Sequence, residues 1–388
     1  MSRPARTAAA LALAAVALIA GCGSPAPAAP GPAAEAPPAG APFLATSLVT
    51  AAGTWAVAVM GGSAATHDNF WQLFARPAGS QRWKLATPPG TADNGGLVLA
   101  GTGRSLITGF RPSQYLTYTP LSLTRDAGQA WASTGPLDGA LANVPDALAA
   151  ASPAGKLLAL LTDGTAELAA PGYTSWTTLA TQPSLAATPP GRRCGLQNLT
   201  AATFTTSGIP MLAATCARAG TAGIFADAGG TWRAAGPALP AALAHQPVQV
   251  LRLTTTTSST IALLVAGTGP DASLLAAWSP DSGSHWTLSP PLRLNGAAPS
   301  SASFGPGDAT AIMLNGSHGQ AVAGPGALWQ ALPALPPGTA TLAAGPAGGF
   351  DALAVARTKM TIWQLAPRSA AWVKAQVINV PIQFGSSS

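Results

Sequence analysis

Ser279-Pro280-Asp281-Ser282-Gly283-Ser284-His285-Trp286 is the stretch from which the rest of the chain can be read. An aspartate is followed by a glycine two residues on and a tryptophan five residues on, between two apolar runs. The chemistry of a hairpin turn accounts for that spacing. The carboxylate accepts hydrogen bonds from turn amides, glycine supplies dihedrals that a β-carbon disfavours, and the tryptophan opens the next strand and fills the space beside it. The same arrangement returns as Thr124-Arg125-Asp126-Ala127-Gly128-Gln129-Ala130-Trp131, and as Phe225-Ala226-Asp227-Ala228-Gly229-Gly230-Thr231-Trp232, where Phe225 replaces the hydroxyl. Asp126, Gly128, Trp131, Asp227, Gly229, Trp232, Asp281, Gly283 and Trp286 are accordingly assigned structural roles.

Weaker copies extend the pattern in both directions. Turn residues lead into Trp83, Trp176, Trp329 and Trp372, and the seven tryptophans are spaced 48, 45, 56, 54, 43 and 43 residues apart. Propeller repeats run about 40–50 residues, so this period predicts seven modules closing into one ring. Between landmarks the chain alternates short Leu/Val/Ala/Thr runs with Gly, Pro, Ser and Asn, and helical periodicity is nowhere sustained. The fifth repeat is the plainest, with strands expected at Val248 to Thr255, Thr260 to Ala266, Ser273 to Ser279 and His285 to Ser289.

The motif resembles the Asp-box, S-x-D-x-G-x-x-W, and the whole looks like a bacterial Asp-box (BNR-like) propeller lipoprotein. Its architecture is similar to that of sialidases, sortilin-type domains and the photosystem II assembly propellers. The resemblance implies that each Asp turn joins the third and fourth strands of a blade, at the periphery. The expected fold class is therefore all-β: a seven-bladed β-propeller of four-stranded antiparallel blades over residues 43–388.

The beginning of the chain carries an address. Residues 1–21 combine Arg3 and Arg6 with an apolar run too short to span a bilayer, the form of an export signal. The run ends Leu18-Ile19-Ala20-Gly21-Cys22, which resembles a bacterial lipobox and implies a diacylglyceryl group on Cys22. Residues 22–42 are then a Pro/Ala-rich linker without a core of its own. The expected location is the extracytoplasmic face of the cell membrane, with the lipid as anchor. In that oxidising setting Cys194 and Cys216, the two cysteines besides Cys22, are expected to pair.

Composition limits the chemistry. Of 388 residues 48% are hydrophobic and 8% charged, with 13 carboxylates of which Glu35 and Glu167 are the glutamates. The net charge of +6 is scattered, without a basic stripe interleaved with aromatics, so no nucleic-acid partner is expected. The histidines are far apart, which argues against a metal site, and no motif implies a cofactor. Loops between second and third strands would share one face of the disc and bring a polar rim together: His67, Asp68, Arg111, Tyr115, Asp163, Arg218, Asp271, His318 and Arg357. The reading is a non-catalytic binding or assembly scaffold whose rim takes a protein or glycan. The alternative is a divergent sialidase-like glycoside hydrolase. The resemblance then requires an Arg triad, a Tyr–Glu pair and a Phe/Tyr-Arg-Ile-Pro motif, and Phe110-Arg111-Pro112 lacks the apolar residue of the last.

Overall fold

Short apolar runs broken by glycine and proline favour strands over helices, and the chain builds successive antiparallel meanders. The computed structural model describes residues 45–61, 69–89, 96–111, 117–151 and 155–381. The expected leader, Cys22, the linker, His67, Asp68 and Tyr115 lie outside the described residues.

The first meander is β1 (Ala45–Thr50), β2 (Gly53–Gly61), β3 (Asn69–Pro77) and β4 (Lys84–Leu85). The second is β5 (Leu97–Thr102), β6 (Ser105–Phe110), β7 (Thr119–Thr124) and β8 (Ala132–Leu137). The third is β9 (Leu148–Ala150), β10 (Leu157–Leu160), β11 (Thr165–Ala169) and β12 (Trp176–Thr181), followed by α1 (Gln182–Ala186) and α2 (Pro189–Cys194). The fourth is β13 (Leu196–Phe204), β14 (Pro210–Cys216), β15 (Gly223–Asp227) and β16 (Trp232–Ala234). The fifth is β17 (Val248–Thr255), β18 (Thr260–Ala266), β19 (Ser273–Ser279) and β20 (Thr287–Leu288), with β21 (Leu292–Arg293) also pairing with β19. The sixth is β22 (Pro299–Phe304), β23 (Thr310–Leu314), β24 (His318–Val322) and β25 (Gln330–Ala331). The last is β26 (Thr339–Ala344), β27 (Phe350–Ala356), β28 (Lys359–Leu365) and β29 (Val373–Asn379).

The fold is an all-β propeller of four-stranded antiparallel meanders, but the seven separate blades expected from the tryptophan spacing are not found. Five sheets stand alone as blades, and the remaining eight strands form one continuous sheet in the order β25-β24-β23-β22-β1-β2-β3-β4. The join is a short parallel pairing of β1 with β22, Ala45 to Ser301 and Thr46 to Ala302. A register shift between Pro299 and Ser301 marks a bulge there, and a bulge bends the strand that carries it. Equivalent shifts occur in β13, β17 and β26 without such a join; at β22 the small residues Ser301 and Ala302 admit the neighbouring backbone of β1.

Packing between sheets follows the period of two. In β18, Ile261 and Leu263 join one apolar cluster with β19, β22 and β23, while Ala262, Leu264 and Ala266 join another with β13, β14 and β17. Both faces of the strand are thus dry, and each leucine buried in this way contributes about 1.5–3 kcal/mol. The seven landmark tryptophans open or immediately precede the outermost strands, and several reach the preceding meander. Trp286 Nε1 donates to the Ala235 carbonyl at 2.7 Å, Trp329 Nε1 to that of Pro290 at 3.0 Å, and Trp372 Nε1 to that of Pro333 at 3.2 Å.

Ring closure between the first and last meanders is non-covalent and buried. Trp83 Nε1 donates to Asp351 Oδ2 at 2.8 Å, Arg76 lies 3.4 Å from the same carboxylate, and Gln376 bonds both the amide and the carbonyl of Trp83. Burial pushes the Asp351 carboxyl up to about 6, although Arg76 and the Trp83 hydrogen bond pull the other way. The fourth meander carries the covalent staple. Cys194, at the end of α2, is bonded to Cys216, at the end of β14.

Candidate functional site

Antiparallel meanders place the turns between first and second strands, and those between third and fourth, on one face of the ring. The second-to-third loops and the links between meanders lie on the other. The innermost strands β1, β5, β9, β13, β17 and β22 end on the first of these faces, and there they enclose an axial basin of about 530 Å³. Ligand sites fall in the range of about 300–1,000 Å³. Nine hydroxyl side chains line it, among them Thr50, Thr102, Thr205 and the run Thr254 to Thr257; Leu48, Val49, Phe204 and Phe304 supply the apolar surface. None of its lining residues is charged. β26 packs against β1 and β22 and contributes no residue to this lining, because the β1–β22 pairing occupies the axial position.

The basin narrows towards a cavity of about 50 Å³ with which it shares Ser47, Leu48, Gly101, Ala150, Thr254 and Thr255. Asp146 and Arg252 close this floor. Arg252 donates from Nε and Nη2 to the two Asp146 oxygens at 2.8 Å each, and the Leu253 amide donates to Oδ2 at 2.9 Å. The guanidinium also lies 5.3 Å from the centre of the Phe304 ring. A register shift between Val250 and Arg252 marks the bulge that turns this side chain to the axis. With its oxygens held by a bidentate pair and an amide, Asp146 is a structural strut; it is not a carboxylate free to move protons.

The basin wall is stiffened from outside. Asp308, a buried residue at φ 65, accepts from Thr256 Oγ1 at 2.6 Å, Ser258 Oγ at 2.9 Å and Ser259 Oγ at 2.8 Å. Its carbonyl receives Trp278 Nε1 at 3.0 Å. These bonds fix the β17–β18 turn against the β22–β23 turn and hold Thr256 at the rim.

The described members of the sequence-predicted rim lie on the opposite face and stay dispersed. Arg111 is taken up by its own neighbourhood: Nε donates to the Ala142 carbonyl at 3.1 Å and Nη2 to that of Val144, and burial lowers its guanidinium to about 10. Asp163 caps its turn through the Thr165 amide at 2.8 Å. Arg357 is the φ 54 residue of the β27–β28 turn, and its carbonyl accepts from the Gly61 amide at 3.0 Å. Arg218 and Asp271 occupy two further loops and His318 opens β24, and none of these six described residues lines the axial basin. Among the described residues no group of three His, Cys, Asp or Glu side chains could hold a metal ion.

The aspartate turns have the geometry read from the sequence. Asp126 Oδ1 accepts from Thr124 Oγ1 and from the amides of Gln129 and Ala130, at 2.8, 2.9 and 3.0 Å. Asp281 Oδ1 accepts from Ser279 Oγ and the amides of Ser284 and His285, at 3.0, 3.1 and 2.8 Å. Asp227, preceded by Phe225, accepts from the Gly230 amide at 2.7 Å. Asp281 also pairs with His285 Nδ1 at 2.5 Å, and this hydrogen bonding holds its carboxyl down to about 2. Ser279 bonds the aspartate and not the imidazole, so the three side chains do not form a nucleophilic triad.

Arg252 and Asp146 were not among the sequence-stated candidates. One signal was available: an arginine inside the apolar run Val248 to Leu253 must find a partner if it is buried. The consecutive threonines 254–257 were the corresponding signal for the basin.

No protein-family model matches the chain, and no curated protein matches it. Among solved structures, a GH74 xyloglucanase from Xanthomonas campestris superposes with a TM-score of 0.55 at 13% identity, over 85% of this chain and 53% of that one. The chain thus spans about half the length of that enzyme. A protein from Lactobacillus plantarum gives a TM-score of 0.51 at 9% identity, over 84% of this chain and 96% of that one. YCF48 from Cyanidioschyzon merolae gives 0.42 at 11% identity, over 84% and 94%. At these identities the first two likenesses establish the β-propeller fold alone.

Proposed function

We propose that the protein is a non-catalytic binding module of the Asp-box type, held outside the cytoplasmic membrane by a lipid on Cys22, and that the axial basin is its ligand seat. The observation that carries this reading is the basin itself: a formed cavity of about 530 Å³ with hydroxyl and apolar walls and no charged lining residue. The basin replaces the dispersed rim as the preferred seat because six strands converge on it, whereas the described rim residues sit on separate loops and strand ends.

Most glycoside hydrolases use two carboxylates flanking the scissile bond, whereas the sialidase-like form would need a Tyr–Glu pair and an Arg triad; neither Tyr nor Glu lines the basin or its floor. Asp146 is the one carboxylate among the residues lining the basin and its floor, and it is locked to Arg252. The anchor proposal rests on Leu18 to Cys22.

Photo-crosslinking in the native envelope tests the reading, with a benzophenone amino acid at Val49 or Thr257 in the basin and at Arg218 or His318 on the other face. Adducts from the basin positions support the proposal. Adducts confined to Arg218 and His318 transfer the function to the rim and overturn it. In the same cells Cys22→Ser is expected to release the protein from the membrane fraction; retention of that variant refutes the lipid anchor.

A further inference from the structure

The basin has a neighbour. A groove of about 600 Å³ lies outward of it between the second and third meanders, and the two meet at the β5–β6 turn, whose Thr102 and Gly103 line both. Thr102 Oγ1 donates to the Ala151 carbonyl at 3.1 Å at that junction, so a ligand reaching from axis to periphery passes over this turn; basin and groove together form a trench on a single face of the ring. Its outer part is lined by Ser105, Arg125, Ser133 and Tyr173. Arg125 is exposed and forms no ion pair among the described residues. Its sequence neighbour Asp126 is directed into the amides of its own turn, which leaves the guanidinium for an external anion. Tyr173 carries φ 57, a conformation that is strained for a bulky residue, and its ring is buried beside the groove.

The chemistry changes along the trench. The axial end offers hydroxyls, which both donate and accept, beside two phenylalanines. The outer end adds one guanidinium, which forms charge-assisted pairs with carboxylate or phosphate. An extended peptide is the less suitable occupant. Such peptides add to a free strand edge, and the edge strand lining this groove, β8, is interrupted by Gly135 at φ 88 and by Pro136, which has no amide hydrogen to offer.

We infer that the trench binds a linear polyhydroxylated chain bearing anionic groups, with an uncharged end in the axial basin and an anionic group at Arg125. This inference rests on the basin being the ligand seat, and it adds the groove and the charge. The anion is a carboxylate on a sugar or a phosphate in a polyol chain; both present the same oxygens to a guanidinium.

The test is calorimetric titration of the full-length protein in detergent with trigalacturonate, a short glycerol-phosphate oligomer, neutral maltotriose and an acidic hexapeptide. At low salt one of the two anionic chains is expected to bind more tightly than maltotriose by about three- to tenfold, and added salt is expected to erase the difference. Which of the two gains identifies the source of the anion. Arg125→Gln is expected to remove the gain while leaving maltotriose binding unchanged. Thr257→Trp, at the basin mouth, is expected to abolish binding of both kinds of chain, with an unchanged melting temperature showing that the variant folds. If maltotriose binds and loses affinity in Thr257→Trp, but Arg125→Gln alters neither anionic chain, the groove inference falls and the basin reading stands. Preference for the hexapeptide, or failure of every saccharide and polyol chain while crosslinks still form at Val49 and Thr257, overturns the chemistry inferred here and leaves the seat. Absence of both binding and basin crosslinks overturns the two together.

Discussion

Asp146→Ala leaves Arg252 charged, buried and without its carboxylate. Asp146 accepts three hydrogen bonds of 2.8–2.9 Å, two from the guanidinium and one from the Leu253 amide, and both side chains are nearly excluded from solvent. Removing one member of such a pair costs about 3–5 kcal/mol, most of it the penalty of the charge left behind. For a domain of roughly 340 residues the unfolding entropy is about 0.7 kcal/mol per degree. The melting temperature is therefore expected to fall by about 4–7 °C in differential scanning calorimetry. Arg252→Met is expected to fall by a similar amount. The double variant Asp146→Leu with Arg252→Met is expected to recover most of the loss, since no unpaired charge remains. A shift below about 1 °C for Asp146→Ala, or a double variant that loses the sum of the singles, refutes the argument that the axis is held by this pair.

Three further outcomes follow from other parts of the ring. Asp351 has a folded-state carboxyl raised to about 6 by burial, so the folded chain binds a proton more tightly than the unfolded one. Its contribution to stability is present near pH 4, declines as pH rises through about 6 and is level above that. Asp351→Asn is expected to flatten this part of the stability profile between pH 4 and 7 by on the order of 2 kcal/mol, and an unchanged profile removes Asp351 as its cause. Reducing the Cys194–Cys216 bond, which spans 22 residues, is expected to cost about 3 kcal/mol in urea unfolding; indifference to reductant contradicts the staple. Gly283, at φ 82, would place a β-carbon 2.8 Å from the Ala235 carbonyl oxygen, whereas at Gly229, φ 68, the same atom meets nothing within 4 Å. Gly283→Ala is expected to destabilise the chain beyond the about 1–2 kcal/mol expected of Gly229→Ala for the dihedral alone, and equal losses would show that the close approach costs nothing.

The parts of this protein legible in the sequence are those settled by neighbours in the chain. An aspartate accepts amides three and four residues on, the glycine between them supplies the turn, and the tryptophan starts the outer strand. These contacts need no knowledge of the remaining chain, and the turns at Asp126 and Asp281 have the expected bonds. The first three strands of the fifth meander also coincide with their expected bounds, because short, mostly apolar runs bounded by polar turns suit strands buried on both faces. Even the weaker turn at Asp227 follows from Phe225, which has no hydroxyl to contribute.

What lies at the axis was decided by tertiary structure. The joining of β1 to β22 pairs strands about 250 residues apart in the chain, and it turns two expected blades into one sheet. Arg252 reaches Asp146 across 106 residues, a pairing for which neither local sequence carries a mark of the other. Arg111 looked available as a rim cation because it follows a strand, yet the approach of the Ala142 and Val144 carbonyls consumes it. Local hydrogen bonding and side-chain alternation specify turns and strands one at a time; where a ring closes, and which residues it traps at its centre, depends on every meander at once.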